Sequence, residues 1–180
     1  MDSNASSILS RWLSSLVTVI VGLLFTAAFE VVVVEVLCVV VVTCLLEAQT
    51  GQILYSVNAQ AELPMASITK VMSLLVLADM IDDDTLQLTD KIKASSYASS
   101  VGGSVIWLEP GEEMSAAELL EAVIVSSAND AVTALAEHTA GSEAQFVKLM
   151  NKRAKDMGLK NTRFTDCIGF DASGHYSSAE

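Results

Sequence analysis

Ser67-Ile68-Thr69-Lys70 sets a hydroxyl and an amine three positions apart, just ahead of the apolar run Val71-Met72-Ser73-Leu74-Leu75-Val76-Leu77. On a helix, residues at that spacing share one face, one turn above the other. A serine hydroxyl is a weak nucleophile until a neighbouring base takes its proton, and a lysine is such a base only when neutral. Burial among apolar side chains, near the positive end of a helix dipole, lowers an amine's pKa. One turn of chain can therefore supply a nucleophile and its base. The plain alternative is a helix N-cap serine followed by a solvated lysine. Against it, Pro64 suits a helix start, and residues 67–81 are apolar on nearly every side, the pattern of a buried helix.

Ser127-Ala128-Asn129 is a second candidate, about sixty residues on. On a turn between two helices it presents a hydroxyl and an amide to a cleft; taken alone, it also reads as an N-cap cluster for the following helix. The order Ser-x-x-Lys then Ser-x-Asn is more specific than either part.

The elements that must position these residues follow from local pattern. Two strand-like runs, 39–47 and 52–57, flank Gln49-Thr50-Gly51 and predict a β-hairpin. Residues 58–63 are a polar connection, and 86–100 form a mixed segment of small polar residues. Gly102-Gly103-Ser104 breaks the chain before the short run 105–108, and Glu109-Pro110-Gly111-Glu112 is a turn. Ser115 and Glu118 make a capping box opening a helix to about 125. Residues 129–139 are a second helical run. Ser142 and Gln145 form another capping box, before the apolar stripe Phe146, Leu149, Met150 and Met157, with Gly158 closing the helix.

The net charge of −12 excludes nucleic acid and anionic membrane surfaces as partners. Asp82-Asp83-Asp84 reads as a solvated helix end. The histidines and cysteines lack metal-ligand spacing, so neither a metal nor a cofactor is expected. Cys38 and Cys44 lie in one apolar run, where a strand would hold them roughly 20 Å apart, and no disulfide framework is visible. His138, late on its helix, is read as structural.

Residues 1–28 read as an export signal or a membrane anchor: Arg11 is the positive flank, 12–28 is apolar, and Thr26 and Ala28 are small residues at −3 and −1 cleavage positions. Either reading places the remainder outside the cytoplasm. Residues 29–44 are a Val-rich segment leading into the first strand; its earlier part has no assignment. Glu30 and Glu35 make one continuous span with the first run costly.

Many blocks in this order resemble the serine D-alanyl-D-alanine carboxypeptidases, the low-molecular-mass penicillin-binding proteins, which share a superfamily with class A β-lactamases. The blocks are Leu46-Glu47-Ala48-Gln49-Thr50-Gly51-Gln52-Ile53-Leu54-Tyr55, Leu63-Pro64-Met65-Ala66-Ser67-Ile68-Thr69-Lys70, Gly102-Gly103-Ser104, Leu108-Glu109-Pro110-Gly111-Glu112, Ser127-Ala128-Asn129-Asp130-Ala131, Ala136-Glu137-His138, Ala140-Gly141-Ser142-Glu143, Met157-Gly158-Leu159-Lys160-Asn161-Thr162 and Gly174-His175-Tyr176-Ser177-Ser178-Ala179.

The resemblance implies an α+β fold of the β-lactamase/transpeptidase type, a helical cluster against an antiparallel sheet, with residues 45–180 the N-terminal part of the catalytic domain. It implies attack by Ser67 on the carbonyl between the terminal D-alanines of a peptidoglycan stem peptide, Lys70 as general base, Ser127 as proton relay and Asn129 holding Lys70 and the substrate backbone. β-Lactam antibiotics would acylate Ser67 as substrate mimics, and the Ser67 backbone N–H would serve as an oxyanion donor. His175 and Tyr176 fit the resemblance without a catalytic role; Gly102, Gly103 and Ser104 shape the cleft rim.

The family's third motif, Lys-Thr-Gly, is absent, and the expectation is a chain truncated at its C-terminus. Three other readings stand behind the carboxypeptidase. One is a β-lactamase, which needs a deacylating carboxylate; Glu137 and Glu143 lie in helical contexts that do not match. The others are a non-catalytic penicillin- or peptidoglycan-binding remnant and a structural membrane protein.

Overall fold

A computed structural model of the chain describes residues 31–33 and 42–180. The signal or anchor expected at 1–28, and most of the Val-rich segment, lie outside the described residues. The described chain divides into two units, one holding the residues up to Leu63 together with Ser177–Glu180, the other Pro64–Tyr176.

The first unit is built on three antiparallel strands in the order β1 (Val31–Val33), β2 (Thr43–Glu47) and β3 (Ile53–Val57). The expected hairpin is present, with Leu45 opposite Tyr55 and an irregularity between Leu45 and Leu46. Its first strand starts at Thr43; residues 39–41 of the expected strand lie outside the described residues. The turn is tied by the Glu47 carboxylate, which accepts from the Gln49 N–H (3.1 Å), the Thr50 N–H (2.7 Å) and the Thr50 hydroxyl (2.5 Å). Those bonds, that from the Thr50 hydroxyl foremost, hold its pKa below the usual carboxylate value.

The second unit carries four helices: α1 (Thr69–Asp82), α2 (Ala116–Ser126), α3 (Asn129–Ala140) and α4 (Glu143–Asp156). A short antiparallel pair, β4 (Lys91–Lys93) and β5 (Glu113–Ser115), sets Ile92 opposite Met114. Leu77, Leu86, Ile92, Leu119, Leu135, Phe146 and Met150 form its dry interior. α1 is buried on several sides, through Met72, Ser73, Leu74, Val76 and Leu77, as its unbroken apolar run requires. The α4 stripe is Phe146, Val147, Met150 and Ala154. Met157 drops out of it because the helix ends at Asp156, leaving that side chain half exposed.

Capping chemistry fixes two helix starts. At Ser115 the box is reciprocal: the Glu118 N–H donates to the Ser115 hydroxyl (3.3 Å), and the Ser115 N–H donates to the Glu118 carboxylate (2.7 Å). At Ser142 the hydroxyl accepts from the Gln145 N–H (3.3 Å), while the Gln145 side-chain oxygen accepts from Lys148 Nζ (3.2 Å).

The loop before β5 is held by a charge instead of a strand. Asp130, 1% exposed near the start of α3, accepts from the backbone N–H groups of Ile106 (3.1 Å) and Leu108 (3.0 Å). Trp107, caught between those two bonds, adopts a φ of 65° and points outward, 83% exposed. Replacing Asp130 by alanine leaves those N–H groups without an acceptor. Asp130→Ala is expected to cost on the order of 3 kcal/mol, measured as a lowered urea midpoint with an unchanged slope.

Candidate active site

The chain enters α1 through a 3₁₀ turn, Ala66–Ile68, so Ser67 sits on the turn and Lys70 on the helix proper. The tighter winding still brings the two side chains together, with Lys70 Nζ 3.2 Å from Ser67 Oγ. This is within reach for proton transfer. The second Nζ contact is the carbonyl of Ile168 at 2.8 Å.

Lys70 is 3% exposed, so the solvated-lysine alternative does not hold. Burial, the largest influence, pushes its pKa below the ordinary lysine value, while Cys167 and Asp166 act in the opposite direction. The helix N-terminus adds to the downward push. The Cys167 thiol is itself pushed well upward, by burial first and then by Glu143. It stays neutral at ordinary pH. A neutral Lys70 amine has a lone pair on the same line along which the ammonium donates, and Ser67 can then donate its proton.

Ser127 and Ala128 are the whole connection between α2 and α3. Ser127 closes α2 in the left-handed region (φ 54°, ψ 37°), and Ala128 is the N-cap of α3, with no side chain capping that helix. The N-cap reading of this cluster is thereby excluded, since neither the Ser127 nor the Asn129 side chain caps that helix. Asn129 is 5% exposed; its Nδ2 donates to the carbonyl of Gly102 (2.7 Å), and its backbone N–H to the carbonyl of Ser104 (2.7 Å). Its Oδ1 is buried with no partner. Among the described residues no hydrogen bond links Ser127 or Asn129 to Ser67 or Lys70. Gly103 (φ +88°) permits the close approach, since a Cβ there would lie 2.7 Å from Asn129 Nδ2.

The far wall was not assigned from sequence. Residues 166–170 wrap around the Asp166 carboxylate, which accepts from the N–H groups of Ile168 (3.0 Å), Gly169 (2.5 Å) and Phe170 (3.4 Å). The Ser73 hydroxyl donates to the carbonyl of Cys167 (2.8 Å). His175, 3% exposed, lies 2.7 Å from the Thr69 hydroxyl through Nε2. Its Nδ1 accepts the Thr165 N–H (3.1 Å) and lies 3.1 Å from the Thr165 hydroxyl. The block Gly174-His175-Tyr176 was the sequence signal for this residue, though it carried no role. Glu143 supports the wall from the head of α4: Oε1 accepts from the Cys167 N–H (3.1 Å), Oε2 from the Tyr97 hydroxyl (2.5 Å). Glu137 accepts from the Ser95 hydroxyl (2.6 Å). His138, exposed in the last turn of α3, touches none of this.

A buried lysine against a serine hydroxyl is an arrangement that can activate the serine as a nucleophile. The sequence matches the D-alanyl-D-alanine carboxypeptidase family, peptidase S11, over residues 40–180. The chain belongs to that family. The carboxypeptidase DacF of Bacillus subtilis is 47% identical over 135 residues, 75% of this chain and 35% of its own. Among solved structures, the carboxypeptidase DacD from Francisella tularensis superposes with a TM-score of 0.76 at 29% identity, covering 88% of this chain and 38% of its own. Penicillin binding protein 5 from Haemophilus influenzae gives 0.75 at 31%, covering 87% and 44%. These neighbours establish the α+β transpeptidase fold. The chain spans about a third of the length of the curated carboxypeptidases it matches.

Gly169 (φ +96°) faces the Ala66 carbonyl so closely that a Cβ would collide with backbone. Gly102 has open space and no such φ. Gly169→Ala is therefore expected to lose more than about 1 kcal/mol of stability, and Gly102→Ala less than that, by parallel chemical denaturation.

Proposed function

We propose that this chain carries the acylating residues of a serine D-alanyl-D-alanine carboxypeptidase acting on peptidoglycan stem peptides outside the cytoplasm. The observation that carries the reading is Lys70: an amine 3% exposed, 3.2 Å from the Ser67 hydroxyl, its pKa lowered chiefly by burial. Family membership supports it, and the names of the relatives supply the substrate class.

In this scheme neutral Lys70 takes the Ser67 proton as Oγ attacks the carbonyl between the two terminal D-alanines. The new Oγ–C bond forms as the C–N bond to the last D-alanine breaks. The proton held on Lys70 passes through Ser127 to the departing amine. Water then releases the acyl group from Ser67. The Asn129 Oδ1, buried without a partner, suits a backbone N–H of the substrate; an orphan acceptor costs about 1–3 kcal/mol, which a bound donor recovers. β-Lactams, as mimics of the scissile amide, acylate the same serine. The names of two structural neighbours, penicillin binding protein 5 and the ampicillin-bound protein D2 of Listeria monocytogenes, support that inclusion. The N-terminal apolar segment either directs export or holds the protein at the membrane.

The β-lactamase reading is disfavoured by a specific observation. Glu137 and Glu143, its carboxylate candidates, are spent on Ser95, Tyr97 and Cys167.

The test is covalent labelling with a fluorescent penicillin, followed by peptide mapping. Label is expected on Ser67 and absent from Ser67→Ala; label elsewhere, or a labelled Ser67→Ala protein, overturns the proposal. Lys70→Ala is expected to slow labelling by about 10²–10⁴-fold. Because the base must be neutral, the labelling rate rises with pH through the Lys70 pKa and reaches its plateau below the ordinary lysine range. A rate that shows no rise with pH anywhere below the ordinary lysine range speaks against Lys70 as base.

A further inference from the structure

The proposed reaction uses nothing from residues 165–175, yet that segment grips two consecutive residues of the Ser-x-x-Lys turn. Ile168 holds Lys70 Nζ through its carbonyl (2.8 Å), and His175 holds the Thr69 hydroxyl (2.7 Å). The first of these grips depends on one carboxylate. Asp166 Oδ1 gathers three successive N–H groups, of Ile168, Gly169 and Phe170. This wrapping aims the Ile168 carbonyl at the amine and sets Gly169 beneath the Ala66 carbonyl, one residue before Ser67. Asp166 Oδ2 lies 3.5 Å from His175 Nδ1, on the far side of the ring from Thr69.

We propose that Asp166 is a positioning residue for Lys70: its carboxylate folds residues 166–170 into a bracket that fixes the amine against Ser67, with His175 as a second arm on Thr69. The assignment rests on the reading of Lys70 as the base, and it adds a residue to which neither the Ser-x-x-Lys nor the Ser-x-Asn motif gives a role.

The charged and titratable surroundings of Lys70 are few. Asp166, on this segment, acts to favour the charged form of the amine. Cys167 stays neutral, and the His175 ring faces Thr69 with its Nδ1 accepting from the Thr165 N–H. Behind Cys167 stands Glu143 of α4, bonded to the thiol and to Tyr97. The Tyr97 pKa is pushed up to about 12 by that bond. Removing the Asp166 charge makes the Lys70 proton easier to lose.

Asp166→Asn separates geometry from charge, because the amide oxygen can still gather the three N–H groups. In ¹⁵N-lysine spectra of the whole chain, the Lys70 Nζ titration is expected to move to lower pH in Asp166→Asn. The acid limb of the penicillin labelling rate moves with it, and the plateau stays within about threefold of wild type. Asp166→Ala, which loses the bracket as well, is expected to lose about 10–100-fold of the plateau rate, the scale of a misplaced reacting group. A merely structural residue would lower stability in both variants and leave the titration where it was. Wild-type titration in Asp166→Asn overturns the proposal, and so does a wild-type plateau in Asp166→Ala. If Asp166→Ala does not fold, the Asn titration decides. If the wild-type chain takes no label, the acylation reading fails, while the Nζ titration still tests the bracket.

Discussion

An ammonium taken out of water loses several kcal/mol of hydration, and Lys70, at the head of α1 and 3% exposed, is placed to suffer that loss. Two responses are open to it. It keeps its proton and gathers acceptors, or it sheds the proton and becomes a base. The surroundings hold it between the two: the Ile168 carbonyl and the Asp166 charge favour the charged form, while burial and the helix N-terminus favour the neutral one. Burial prevails in direction. The rest of the unit is arranged around that balance.

The supports converge from three places. The 3₁₀ turn brings Ser67 in on one side, and the wrapped residues 166–170 close another. Glu143, at the positive end of α4, holds that wrapped segment through Cys167 and reaches Tyr97 as well. A carboxylate in the first turn of a helix is favoured by the dipole, so Glu143 fills a helix-end role and a cross-link together. Asp130 does similar work from the head of α3, taking two N–H groups of the loop that follows Gly102 and Gly103. The recurrent device is a carboxylate near a helix start accepting from backbone that has no strand to pair with.

What could be read from the sequence follows from the range of each interaction. The Ser67 and Lys70 pairing is three residues long, and the hairpin and the Ser115 box are equally local; all three are legible in pattern. The start of α1 was displaced because a 3₁₀ turn and an α-turn share the same apolar signature. β4 and β5, three residues each, are too short for alternation to register. Asp130 was visible only as the residue after Asn129, and Asp166 as one more acid in a loop. Their partners lie in backbone amides, which carry no side-chain signature, and for Asp130 more than twenty positions away. The Ser142 box was half met because Gln145 found Lys148, a competing partner one turn along.

Ala66 has a positive φ of 45° immediately before the Ser67 hydroxyl, a backbone setting that costs an L-residue roughly 1–2 kcal/mol. Glycine would adopt it without strain but would add freedom to the unfolded chain. Protein engineers seeking a hardier version of this molecule therefore meet a dilemma at its reactive corner. Loosening the hinge there trades a built-in kink for slack, in the one place where the oxygen's aim is decided.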